Sequence, residues 1–197
     1  MTGATGPGPG RRPGADPAFR PTGETLIHQA WFISLVKATF VDPDGNPFER
    51  EIVRHPGAVA VVPVTDDGSV LLVRQYRPAV DRWLYEIPAG TCDVEGEPRE
   101  TTAHRELIEE IGHRAAELTE LTRCLNTPGF CDEVTTIFLA TGLTEVADNR
   151  QGVEEQYMTV ERIPLADFDA RVDDGTIVDA ATILGVGLAC RHLAATR

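Results

Sequence analysis

Apolar and polar residues change their spacing several times along this chain, and each change marks an element. Residues 58–64 (Ala-Val-Ala-Val-Val-Pro-Val) are an unbroken apolar run, the pattern of a strand covered on both faces. The turn Thr65-Asp-Asp-Gly68 separates it from a second strand over 69–77. A short strand over 83–87 leads into Pro88-Ala89-Gly90. From 98 to 111 the period becomes helical, with Ala103, Leu107 and Ile111 on one face. Pro98 suits the first turn of that helix and Gly112 its C-terminal stop. Residues 117–124, 134–141 and 156–161 read as strands, 165–173 as a short helix and 180–195 as a final helix. Upstream, strands over 30–41 and 48–54 flank the turn Asp42-Pro-Asp-Gly-Asn46.

This order lacks strict alternation of strand and helix. It predicts an α/β fold with a mixed sheet between helices, not a doubly wound sheet. Residues 1–24 are rich in Gly and Pro and are expected to be a disordered tail. Residues 25–55 form an N-terminal β-element, and 56–197 the main domain.

Composition narrows the classes. The chain has 197 residues, 42% hydrophobic and 25% charged, enough for one core of ordinary size. A net charge of −13 opposes nucleic acid and anionic membrane as partners. It admits a small polyanionic substrate, because a bound cation reverses the sign locally. No apolar run reaches the ~18 residues of a spanning helix, and the N-terminus lacks an apolar signal core. Cys92, Cys124, Cys131 and Cys190 show no CxxC spacing, so free thiols in a reducing cytoplasm are expected, not disulfides or a zinc site.

The segment after Gly90 changes the picture most. Arg105, Glu106, Glu109 and Glu110 crowd one turn and a half of the predicted helix. Glu106 and Glu110 stack one turn apart, with Glu109 beside them. A solvated acidic helix face is the ordinary explanation of such charges. A magnesium site is the other: a hard cation takes oxygen ligands, keeps several waters and leaves positions for phosphate oxygens.

The register of this cluster with Gly90 and Glu97 closely resembles the Nudix box, G-x5-E-x7-R-E-U-x-E-E-x-G-U, where U is aliphatic. Glu97, seven residues, then Arg105-Glu106-Leu107-Ile108-Glu109-Glu110-Ile111-Gly112 match. Two positions depart: six residues separate Gly90 from Glu97, and His113 stands at the last aliphatic position. Gln75-Tyr-Arg77, Trp83-Leu-Tyr-Glu86-Ile-Pro-Ala89-Gly90 and Thr127-Pro-Gly-Phe-Cys-Asp-Glu133 resemble the ADP-ribose pyrophosphatase branch of that family.

The resemblance implies an α/β/α sandwich that hydrolyses the diphosphate of ADP-ribose to AMP and ribose 5-phosphate. It implies magnesium, with manganese as the substitute, held by the carbonyl of Ala89 with Glu106, Glu109 and Glu110. Gly90, Glu97, Arg105 and Gly112 are then structural parts of the motif. Arg54, Arg77, Glu86 and Glu133 are expected to bind substrate, with Trp31 and Phe32 against the adenine. For the two aromatic residues core packing is an equal alternative; for Glu86, a salt bridge to Arg77. Glu154 or Glu155, on the loop before a late strand, is expected to be the base. A homodimer exchanging N-terminal strands is also implied.

Other readings are a pyrophosphatase for ADP-glucose or GDP-mannose and a non-hydrolysing sensor of such a ligand. RNA decapping is a further one, opposed by the charge.

Overall fold

The computed structural model describes residues 18–147 and 155–196. Most of the expected tail, residues 1–17, and the candidate base Glu154 lie outside the described residues. The chain divides into two compact units: residues up to His55 together with Gly129–Asp132, and Pro56–Pro128 with Glu133–Arg197.

The first unit is an antiparallel sheet, β1 (Arg20–Gln29), β2 (Ser34–Val41) and β3 (Pro47–Arg54), in that order. Two sequence expectations need correction here. The tail expected over 1–24 gives way to strand at Arg20. The strand expected from residue 30 begins instead at Ser34. Hydrophobic pattern missed β1 because all ten of its residues are exposed; its ladder to β2, from Arg20↔Val41 to Gln29↔Ser34, supplies its order. The chain reverses at 30–33, where Ala30 N–H donates to the Ile33 carbonyl (3.0 Å) and the Gln29 amide reaches the carbonyls of Ala30 and Ile33. Trp31 and Phe32 therefore sit at a hairpin tip, and Trp31 is 91% exposed. Neither side chain is buried among the described residues. Pairing of β2 with β3 around Asp42–Asn46 follows the expected hairpin.

The second unit contains two sheets. One is mixed, in the order β7 (Ala89–Thr91), β4 (Ala58–Pro63), β9 (Val134–Glu145), β8 (His113–Leu125), with β4 and β9 parallel. The other is antiparallel, β10 (Thr159–Pro164), β5 (Ser69–Arg77), β6 (Arg82–Glu86). Helix α1 (Arg99–Ile111), the short α2 (Phe168–Asp173) and α3 (Ala180–Ala195) complete it.

The unbroken apolar run of β4 has the physical meaning expected of it. Val59 and Val61 pack with Ala103, Leu107 and Ile111 of α1. Ala60 and Val62 pack with Val186 and Ala189 of α3. A strand's side chains alternate between faces, so a strand with a helix on each side must be apolar at every position. Leu71 and Val73 of β5 join the α1 side, and Val70 and Leu72 the α3 side. This is the predicted α/β sandwich. Each wholly buried Val, Leu or Ile of this set contributes about 1.5–3 kcal/mol.

The strand expected over 156–161 starts later. Glu155–Tyr157 is a single 3-10 turn, and β10 begins at Thr159 after the buried Met158. Beyond their expected ends, β8 and β9 run on as a long antiparallel pair.

Candidate active site

Helix α1 carries two adjacent stripes. Ala103, Leu107 and Ile111 form the apolar one; Thr102, Glu106 and Glu110, also spaced by four, form a polar one that is buried as well. Glu106 is 8% and Glu110 6% exposed. This decides against a solvated acidic face. Burying a carboxylate is costly unless it is paired or hydrogen-bonded, and such burial is a feature of sites.

The partners of these acids are local. Glu110 Oε2 accepts the Ala89 N–H at 3.0 Å, joining the helix to the start of β7. Arg105 holds Glu106 Oε1 at 2.7 Å and Glu109 Oε2 at 3.2 Å through one terminal nitrogen. Its other terminal nitrogen lies 3.5 Å from Glu97 Oε2. Glu97 is itself fixed by the Thr102 hydroxyl (2.7 Å). Burial would lower the Arg105 pKa, but Glu106, Glu109 and Glu97 together hold it above its ordinary value. Arg105 thus offsets part of the negative charge of the cluster and orients it. Thr102, the anchor of Glu97, was not singled out from sequence, although its place four residues before Glu106 was readable.

Gly90 touches this cluster directly. A Cβ there would collide with the Glu106 carboxylate. Glycine is required because it lets the carboxylate lie against the backbone. Gly112 has a different duty: it ends α1 in the left-handed region (φ 63°), its N–H returning to the Ile108 carbonyl.

The donor set around this turn is all oxygen: the Ala89 carbonyl and the carboxylates of Glu106, Glu109 and Glu110. Oxygen donors of this kind suit a hard divalent cation, and the missing Cβ of Gly90 lets the Glu106 carboxylate lie against the backbone of this turn. Among the described residues, no three His, Cys, Asp or Glu side chains close into a metal cage; Glu106 and Glu109 are turned toward Arg105 instead.

A second ionic element stands on β5 and β6. Arg77 Nε lies 3.0 and 3.1 Å from the two Glu86 oxygens, and Nη2 is 2.6 Å from one of them. The Gln75 amide donates to Glu86 at 3.1 Å. Glu86 is 5% exposed and forms a salt bridge to Arg77. Glu86 holds the Arg77 guanidinium above its ordinary value against burial, and Glu110 and Asp179 act in the same direction. The field of Glu110 therefore links this pair to α1.

The remaining candidates are more dispersed. Glu133 contacts the Thr135 hydroxyl at 3.5 Å. In the other unit, Arg54 is engaged by Glu24 (3.1 Å from Nε) and Asp132 (3.0 Å from Nη1); Glu24 had been read as tail. Glu155 opens the 3-10 turn before β10. All four cysteines are free, and burial raises the thiols of Cys92, Cys124 and Cys190, which disfavours nucleophilic thiolates.

Comparison with known proteins identifies the family. The family model described as the NUDIX domain matches residues 54–180. An ADP-ribose pyrophosphatase of Bacillus subtilis (strain 168) is 41% identical over 144 residues, 73% of this chain and 77% of the relative. An ADP-ribose pyrophosphatase of Mycobacterium tuberculosis (strain ATCC 25618 / H37Rv) is 40% identical over 172 residues, 87% of this chain and 83% of the relative. A crystal structure described as an ADP compounds hydrolase superposes with a TM-score of 0.80, covering 90% of this chain and 96% of that one at 23% identity, a likeness of fold. With the motif helix built as described and the family model spanning most of the chain, this protein belongs to the Nudix family.

Proposed function

We propose that this protein is a magnesium-dependent ADP-ribose diphosphatase, releasing AMP and ribose 5-phosphate. The observation that carries the reading is the burial of Glu106 and Glu110 against the Ala89–Gly90 turn. The names of the two relatives at 40% and 41% identity support the substrate. Ala89 O, Glu106, Glu109 and Glu110 would hold the cation. Bound there, it would neutralise diphosphate charge and lower the pKa of a coordinated water.

The chain's own groups do the rest. Arg105 keeps the acids in register. Arg77, preset by Glu86, offers a planar fork to a phosphate or ribose oxygen. Glu154, with Glu155 as the second candidate, takes the proton of the attacking water. Trp31, exposed at its hairpin tip, offers a flat apolar face to the adenine, with Phe32 beside it. Arg54 and Glu133 belong to the substrate contacts. The reading includes a homodimer through the N-terminal sheet, supported by the exposed Leu26 and Ile27 of β1, and a cytoplasmic setting, supported by the free cysteines. No helix among the described residues is long and apolar enough to cross a membrane.

Incubation with ADP-ribose and magnesium should yield AMP and ribose 5-phosphate in equal amounts. Absence of AMP would overturn the reading. A panel including ADP-glucose and GDP-mannose should give the highest kcat/KM for ADP-ribose. The alternative has a specific basis, since a GDP-mannose pyrophosphatase of Yersinia enterocolitica is 30% identical over 172 residues.

Arg77→Lys is expected to raise KM about 10-fold with little change in kcat, roughly the worth of one charge-assisted hydrogen bond. Steady-state kinetics over a range of ADP-ribose concentrations checks it. A fall in kcat at constant KM would place Arg77 at the reacting centre instead.

A further inference from the structure

We infer that Thr182 and Asp179, at the start of α3, are positioning residues for the Ala89–Gly90 turn, the backbone side of the site assigned above. The inference rests on that assignment.

The reason lies in how the chain passes between its two sheets. β6 ends at Glu86 in one sheet, and β7 begins at Ala89 in the other. Ile87 and Pro88 make the transfer, and the Ile87 N–H has no partner in either ladder. Ile87 is nonetheless 1% exposed, and a buried N–H needs an acceptor. The Thr182 hydroxyl, 95 residues further on, accepts it at 2.9 Å. That hydroxyl in turn donates to Asp179 Oδ2 at 2.7 Å, and the same oxygen accepts the Thr182 N–H at 2.8 Å. Thr182 is completely buried.

Four polar groups along this short passage are held in succession. Glu86 is held by Gln75 and Arg77, Ile87 N–H by Thr182, the Pro88 carbonyl by Val61 N–H at 2.8 Å, and Ala89 N–H by Glu110. α3 also comes close: a Cβ on Gly185 would stand 3.0 Å from Ile87 Cδ1 and from a Val62 methyl. The Asp179 carboxylate acts on the Arg77 guanidinium as well, holding its pKa up. One capping unit thus sets the backbone entering the metal-side turn and adds to the field at Arg77. Loss of a group that orients a metal's ligand typically costs about 10- to 100-fold in metal affinity or activity.

Thr182→Val keeps the shape and removes the hydroxyl; Thr182→Ser keeps the hydroxyl. Two readouts are required. The first is Mn2+ binding to metal-free protein, followed by the electron paramagnetic resonance of free Mn2+. The second is kcat and KM for ADP-ribose, with circular dichroism and Tm recorded for each variant. Thr182→Val should weaken Mn2+ binding and lower kcat by on the order of 10-fold each, and Thr182→Ser should recover most of both. A lowered Tm with Mn2+ affinity and kcat unchanged would overturn the inference and make Thr182 an ordinary core residue. Should Thr182→Val not fold, Asp179→Ser serves. Serine still caps the helix, yet it lacks the charge and the reach of the second hydrogen bond. It should show the same paired loss, and its absence overturns the inference equally. Wild-type protein that binds Mn2+ without releasing AMP would refute the proposed activity alone, leaving the Mn2+ comparison to decide the positioning role.

Discussion

Glu110→Gln should reduce kcat for ADP-ribose by on the order of 10³-fold or more, with secondary structure intact. Glu110 has two duties that the substitution separates. One oxygen accepts the Ala89 N–H, and a glutamine carbonyl can still do that. The negative charge is what a cation would need, and glutamine lacks it. The side chain is only 6% exposed. Neutralising it also removes the cost of a buried charge, so the variant should fold and be at least about as stable as the parent. The measurement is turnover at saturating magnesium beside the denaturation midpoint. Near-full turnover would remove Glu110 from the site. A collapse in stability would show the charge to be structural, contrary to the proposed function.

Gly90→Ala tests the same site from the backbone side, and it should divide function from fold even more sharply. A methyl at residue 90 meets the carboxylate of Glu106 first. That carboxylate is the far end of a side chain, so it can swing away at modest cost in stability, about 1 kcal/mol. It cannot swing away and keep the position it holds against the Gly90 backbone. Misplacing a reacting or ligating group by about 1 Å can cost on the order of 10² in rate. A similar loss in kcat/KM is therefore expected, with a Tm close to the parent's. Activity near the wild-type level would mean that Glu106 does not work from the position it holds against Gly90.

Both expectations depend on an arrangement only partly visible in the linear chain. The helix, its acids, its apolar face and its stop at Gly112 were legible because they repeat at the period of one helix. So were β4 and β5, whose apolar runs reflect coverage on both faces. β1 was not legible. Its order comes from ladder hydrogen bonds to β2, and it has no buried side chain to leave a pattern. Trp31 and Phe32 were noticed by residue type but assigned to a strand, because the turn at 30–33 is closed by backbone contacts and the Gln29 amide and not by Gly or Pro. The start of β10 was misplaced for a related reason: Gln156 and Tyr157 carry strand-like composition but curl into a 3-10 turn.

The site divides along the same line. Arg105, Glu106, Glu109 and Glu110 lie on one helix, so their mutual reach follows from a fixed rise and rotation per residue, and the sequence by itself determined it. The family followed from their register with Gly90 and Glu97. Which acids are buried, which backbone they touch and how Arg77 is held depend on contacts between residues 9 to 95 positions apart. Those contacts exist because β4 is sandwiched between α1 and α3 and because the chain changes sheets at Ile87–Pro88. No local period encodes them. The Asp179–Thr182 cap could be recognised in the linear chain as the start of a helix. Only the tertiary structure decided that its hydroxyl would satisfy the buried Ile87 N–H, which lies outside both ladders.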